Sequence, residues 1–61
     1  MTTTQKIKSL LDFGIKKQDI YIIIGISRTT FWRMENKVKG ATFENLSKIQ
    51  KKEIDRIFKK I

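Results

Sequence analysis

Gly25-Ile26-Ser27-Arg28-Thr29-Thr30-Phe31-Trp32-Arg33 follows directly on an apolar run, Ile20 to Ile24. The run stops at Gly25, and glycine tolerates the left-handed backbone that a tight turn after a helix needs. Two residues on, Ser27 can accept a bond from a free N–H in the first turn of a new helix. That helix sets Arg28, Thr29, Thr30 and Arg33 near its N-terminal end, while helical spacing turns Phe31 and Met34 inward. The stretch therefore reads as helix, three-residue turn and helix with a polar N-terminal face, the layout of a helix-turn-helix.

Outward from it, the chain divides into further short helices. Thr3 or Thr4 is expected to cap a first helix with Ile7, Leu10 and Leu11 on one face, ended by Phe13-Gly14. A second helix is expected from about Lys16 to Ile24 and a third from Arg28 to about Lys37, with Gly40 closing the loop after it. The five residues Ile20 to Ile24 also suit a buried strand by β-propensity. No second convincing strand exists to pair with them, so the helix is favoured. Thr42 is expected to cap a last region carrying Phe43, Leu46, Ile49, Ile54, Ile57, Phe58 and Ile61. That region reads either as one helix or as two that meet in the polar interval Gln50-Lys51-Lys52-Glu53, and the second reading, or a kink, is slightly favoured. The expectation is an all-α fold of four to five short helices, one domain over 1–61 with the motif at 17–37.

Composition narrows the function. A chain of 61 residues buries only roughly 60% of its unfolded surface, so its core is small. It has no Cys and no His, which removes disulfides, thiolate metal sites and the commonest acid–base group. Asp12, Asp19, Glu35, Glu44, Glu53 and Asp55 are scattered among lysines, and no nucleophile–base pair or glycine-rich phosphate loop is present. No enzyme, cofactor, metal or small-molecule ligand is expected. No apolar run approaches the ~20 residues that span a bilayer, and Met-Thr-Thr-Thr-Gln-Lys does not open a signal peptide. A soluble, cytoplasmic protein is expected. The formal charge is +8, which points to a polyanionic partner, although the enrichment of Lys and Ile typical of low-GC genomes accounts for part of it.

Gly14-Ile15, Ile20, Gly25 to Phe31, Arg33 and Glu35-Asn36-Lys37 together resemble the Xre/Cro/lambda-repressor class of helix-turn-helix proteins, and Thr42 to Ile49 is similar to the helix that follows in that class. The resemblance covers about Gly14 to Ile49. It implies an all-helical domain of about five helices whose third helix enters the DNA major groove, usually as a dimer. Three departures stand out. Tyr21 replaces the small residue usual after the first apolar anchor of the second helix, Ile22 and Ile23 fall at positions usually polar, and Lys17 stands where the class often has Gln. Gly25 to Arg33 also looks like the C-terminal DNA-binding segment of serine recombinases, which lacks a counterpart for Gly40–Ile61.

On this reading Arg28, Thr29, Arg33 and Trp32 are the candidates for base reading, the arginines because Arg bidentate to guanine is the commonest specific contact. An ion pair with Glu35 or Asp19 is the alternative for Arg33. Trp32 could pack on a thymine methyl or a sugar, or cover the edge of the core, or lie at an interface. Ser27, Thr30, Lys16, Lys17, Lys37 and Lys39 are candidates for the phosphate backbone. Lys48, Lys51, Lys52, Arg56, Lys59 and Lys60 either extend the DNA footprint or, the favoured reading, form the wet face of the last helix. Of the apolar group Tyr21 to Ile24, either Ile23 or Ile24 is expected to be buried with Ile20, and Ile22 to be partly exposed.

The expected function is a sequence-specific regulator of transcription that binds double-stranded DNA, with an origin in phage or another mobile element implied by the resemblance. The alternatives are a phage-encoded module that binds a host protein and an accessory or architectural factor in recombination. A homodimer is expected to pair through Ile54, Ile57, Phe58 and Ile61 on a dimerisation helix over 50–61; the competing expectation folds this stripe back onto Ile7, Leu10 and Leu11.

Overall fold

A computed structural model describes residues 1–60. Four α-helices, α1 (Thr3–Phe13), α2 (Lys17–Ile24), α3 (Arg28–Glu35) and α4 (Lys48–Lys60), are joined with two single turns of 3-10 helix at Val38–Gly40 and Phe43–Asn45. Among the described residues there is no strand, as expected. Ile20 to Ile24 is helical, and Gly25 ends it in the left-handed region at φ 76°.

Each helix start has a local cause. The cap of α1 is Thr2, one residue before the two expected. Thr2 Oγ1 accepts from the Gln5 N–H while Gln5 Oε1 accepts from the Thr2 N–H, a reciprocal pair that Thr3 and Thr4 cannot form with Gln5. Thr3 and Thr4 instead give their N–H groups to the Glu44 carboxylate at 3.0 and 3.2 Å. This ties the start of α1 to the second 3-10 turn. Loss of hydration raises the Glu44 carboxyl, but the Thr3 and Thr4 N–H groups, the Lys51 charge and the Thr4 hydroxyl outweigh it and hold the group below its ordinary 4.5.

The last region does break, but at Leu46-Ser47 and not within Gln50–Glu53. Ser47 Oγ accepts from the Gln50 N–H and Gln50 Oε1 accepts from the Ser47 N–H, so a second capping box opens α4 there. Gln50 Nε2 also donates to the Ile24 carbonyl at 3.0 Å, tying the start of α4 to the end of α2. The third helix is shorter than expected. It closes at Glu35, where Asn36 Nδ2 donates to the Trp32 carbonyl and the chain turns left-handed at Lys37.

The core is drawn from every helix: Ile7 and Leu10 of α1, Ile20 and Ile24 of α2, Phe31 of α3, Phe43 and Leu46 of the connecting segment, and Ile54 of α4. Phe31 sits at its centre, its ring 5.1 Å from Phe43 and 6.0 Å from Tyr21. Tyr21 thus fills the gap between α2 and α3 where the resemblance calls for a small residue. Of the isoleucine group, Ile24 is buried while Ile22 and Ile23 are 61% and 43% exposed.

The pairing stripe needs correction. Ile54 is completely buried inside the single chain, and Ile57 and Phe58 pack against the same core. The cause is that α4 packs against both α1 and α2, so its stripe joins the core that also holds Ile7, Leu10 and Leu11 of α1. Ile61 lies outside the described residues. A Lys6–Asp55 ion pair ties α1 to α4. That hydrogen bond, opposed by lost hydration and aided by the charges of Lys6 and Lys59, keeps the Asp55 carboxyl below its ordinary 3.8.

Candidate nucleic-acid interface

Phe31 anchors α3 from beneath, which fixes what the helix turns outward. Arg28, Thr29, Trp32 and Arg33 are all exposed, at spacings of one, three and one that place them on one helical face. Arg28 and Arg33 form no ion pair among the described residues, so neither suggested partner of Arg33 is used. Glu35 is engaged elsewhere, with Lys17 of α2 at 2.9 Å. Both guanidinium groups therefore project from α3 with their donors uncommitted to a carboxylate.

Ser27 caps α3. Its Oγ accepts from the Thr30 N–H at 3.1 Å and donates to the Thr30 hydroxyl at 2.9 Å. The Thr30 hydroxyl keeps its own proton for an outside acceptor. The N–H groups of Arg28 and Thr29 open the helix with no intrahelical acceptor, at the positive end of its dipole.

The flanking lysines differ in freedom. Lys16 is exposed at the start of α2 and makes no capping bond. Lys17 is exposed but shares its charge with Glu35. Lys37 and Lys39 are exposed on the turn after α3, with φ of 55° and 54°. Such left-handed backbone is unfavourable for residues with a Cβ. It turns the chain sharply, and keeps this basic segment beside the C-terminal end of the α3 face.

Trp32 is 56% exposed, and its covered side borders Tyr21 and the core residue Phe31. Three shallow concavities meet at its ring. One is lined by Arg28, Thr29 and Trp32 alone. A second lies between Trp32, Arg33 and the Val38–Ala41 turn, and a third between α3 and α2, where Lys17 and Tyr21 reach it. Asn45 borders the second concavity, a residue that sequence reading passed over. Its Oδ1 accepts from the Thr42 hydroxyl, which aims the side chain without using its amide donors. Nothing in the sequence sets Asn45 beside α3, since the contact depends on how the chain turns at Lys37 and Lys39.

The wet-face lysines of α4 are mostly exposed, with Glu53 paired to Arg56, as expected of a solvated helix. Among the described residues no group of acidic side chains could hold a metal ion, and no helix is long and apolar enough to cross a membrane. Comparison of the chain with family models, with characterised proteins and with solved structures found no match.

Proposed function

We propose that this chain binds double-stranded DNA sequence-specifically, with α3 in the major groove, and acts in the bacterial cytoplasm as a small regulator of transcription. The observation that carries the reading is the outer face of α3, where two arginines without carboxylate partners stand beside a capped, open helix N-terminus. Arg28 and Arg33 offer forked donors to guanine, and Thr29 lies between them. The Ser27–Thr30 end of α3 and the lysines at 16, 37 and 39 are suited to phosphates, which set register without reading sequence. The resemblance to the Xre/Cro class, carried by Gly14 to Ile49, supports the same reading and a mobile-element origin. The expected homodimer loses the support of Ile54, and each copy is proposed to cover one half-site.

The test is a duplex titration at several KCl concentrations. With roughly four to eight phosphates neutralised, log affinity should fall against log salt with a slope of about −0.9 per phosphate. A flat response, or no binding to any duplex, would sink the reading. One observation favours a second reading, a module docking on a host protein: Ile22 and Ile23 stand exposed side by side on α2. Such a module would leave random duplex unshifted in a low-salt gel, and selection from a random library would enrich no sequence.

A further inference from the structure

We infer that Trp32 reads a thymine methyl group, making the protein's preferred site one in which a thymine lies next to the base pairs contacted by Arg28 or Arg33. The inference rests on the proposed duplex reading and specifies it. Trp32 stands in the middle of the outward face of α3, one turn beyond Arg28 and adjacent to Arg33. The residue is 56% exposed, with the Val38–Ala41 turn on one side of it and Lys17 and Tyr21 of α2 on the other. Together with Arg28 and Thr29 it forms the wall of one concavity, and with Arg33 the wall of another. An indole in that place is an apolar ridge with cationic donors on either side.

The chemistry of the groove selects its complement. Among the donors and acceptors of the major-groove edges, the C5-methyl of thymine is the one apolar group larger than a C–H. An apolar ring at the centre of the reading face therefore has one apolar partner at the groove floor. Sugars lie along the groove walls with the phosphates, and the groups placed to meet those walls are at the two ends of α3, Ser27 and Thr30 on one side and Lys37 and Lys39 on the other. Docking that seats Arg28 and Arg33 on base edges brings the intervening ring down with them. Within α3 itself there is no Asn or Gln to read adenine, so on this helix recognition of A·T pairs falls to Trp32 and Thr29 from the thymine side.

The experiment uses the duplex selected from a random library, with each thymine replaced singly by uracil. This removes only the methyl and keeps base pairing. Trp32 is the chain's one tryptophan, so its own fluorescence reports the contact alongside a gel shift. At one position, beside a base pair whose change is felt through Arg28 or Arg33, uracil should weaken wild-type binding by about fourfold, the transfer worth of one methyl group. The same uracil should be without effect on Trp32→Ala, whose fold circular dichroism confirms. A bound duplex insensitive to uracil at every position, or a sensitivity that survives in Trp32→Ala, overturns the inference and leaves duplex binding standing. Failure to bind any duplex overturns both.

Discussion

Arg33 and Lys39 sit close together in sequence, and under the proposed duplex reading they separate two kinds of contact. Arg33→Ala is expected to cost ~1–3 kcal/mol on the selected site and much less on random DNA. Lys39→Ala should weaken both about equally and flatten the salt slope by about one. Equal losses for Arg33→Ala in parallel titrations would make it a phosphate contact. Lys39 adds a second expectation, because its φ of 54° suits glycine better than lysine. Lys39→Gly should raise the thermal midpoint, by up to about 1 kcal/mol of stability, while weakening duplex binding. A midpoint that falls would show that the lysine side chain supports the turn. At this scale the sequence was partly legible. The outward Arg28, Thr29 and Arg33 follow from helical spacing once Phe31 is placed inward. The left-handed lysines do not, because L-residues avoid that conformation unless tertiary structure imposes it.

The helices themselves were legible in type, and their ends less so. Thr2-Thr3-Thr4-Gln5 and Ser47-Lys48-Ile49-Gln50 both contain a hydroxyl three residues before a glutamine. That signature marks Thr2 and Ser47 as caps. The polar run at 50–53 masks the second, because such a run suits a helix junction as well as the wet side of a helix start. Gln50 has a further task that no local pattern encodes, its bond to the Ile24 carbonyl. Gln50→Ala is therefore expected to destabilise the protein by about 1–2 kcal/mol in urea unfolding, and Gln5→Ala by less. Equal effects would assign the whole loss to capping. The exposure of Ile22 and Ile23 was only half legible. A helix of Ile-Tyr-Ile-Ile-Ile is apolar nearly all round, so packing alone decides which side faces the core.

Across the whole molecule, α1 and α4 are held by Ile54 inside and by Lys6–Asp55 outside, and Glu44 fastens the start of α1. Periodicity marked the apolar stripe on α4 but not what meets it. A partner helix and a partner molecule demand the same spacing. Burial of Ile54 decides for the helix, and Ile54→Ala should cost about 2–5 kcal/mol, enough to unfold much of so small a domain. Sedimentation should find the wild-type chain monomeric in the absence of DNA, and a stable dimer would refute this. Acid tests the carboxylates. Both Glu44 and Asp55 are depressed in the folded state, so their stabilisation is fully present above their ordinary values of 4.5 and 3.8 and is lost as pH falls through the lower folded values. Thermal melts from neutral to strongly acid pH should show a decline in that window, shallower in Glu44→Gln. The exposed Ile22, Ile23 and Ile49 carry one more consequence. At low ionic strength the +8 charge keeps copies apart and these side chains never meet. Salt shortens the reach of that repulsion. The protein should therefore lose colloidal solubility under the same salt conditions that weaken the proposed duplex binding, and on that reading nucleic acid left in a preparation would act as its solubiliser.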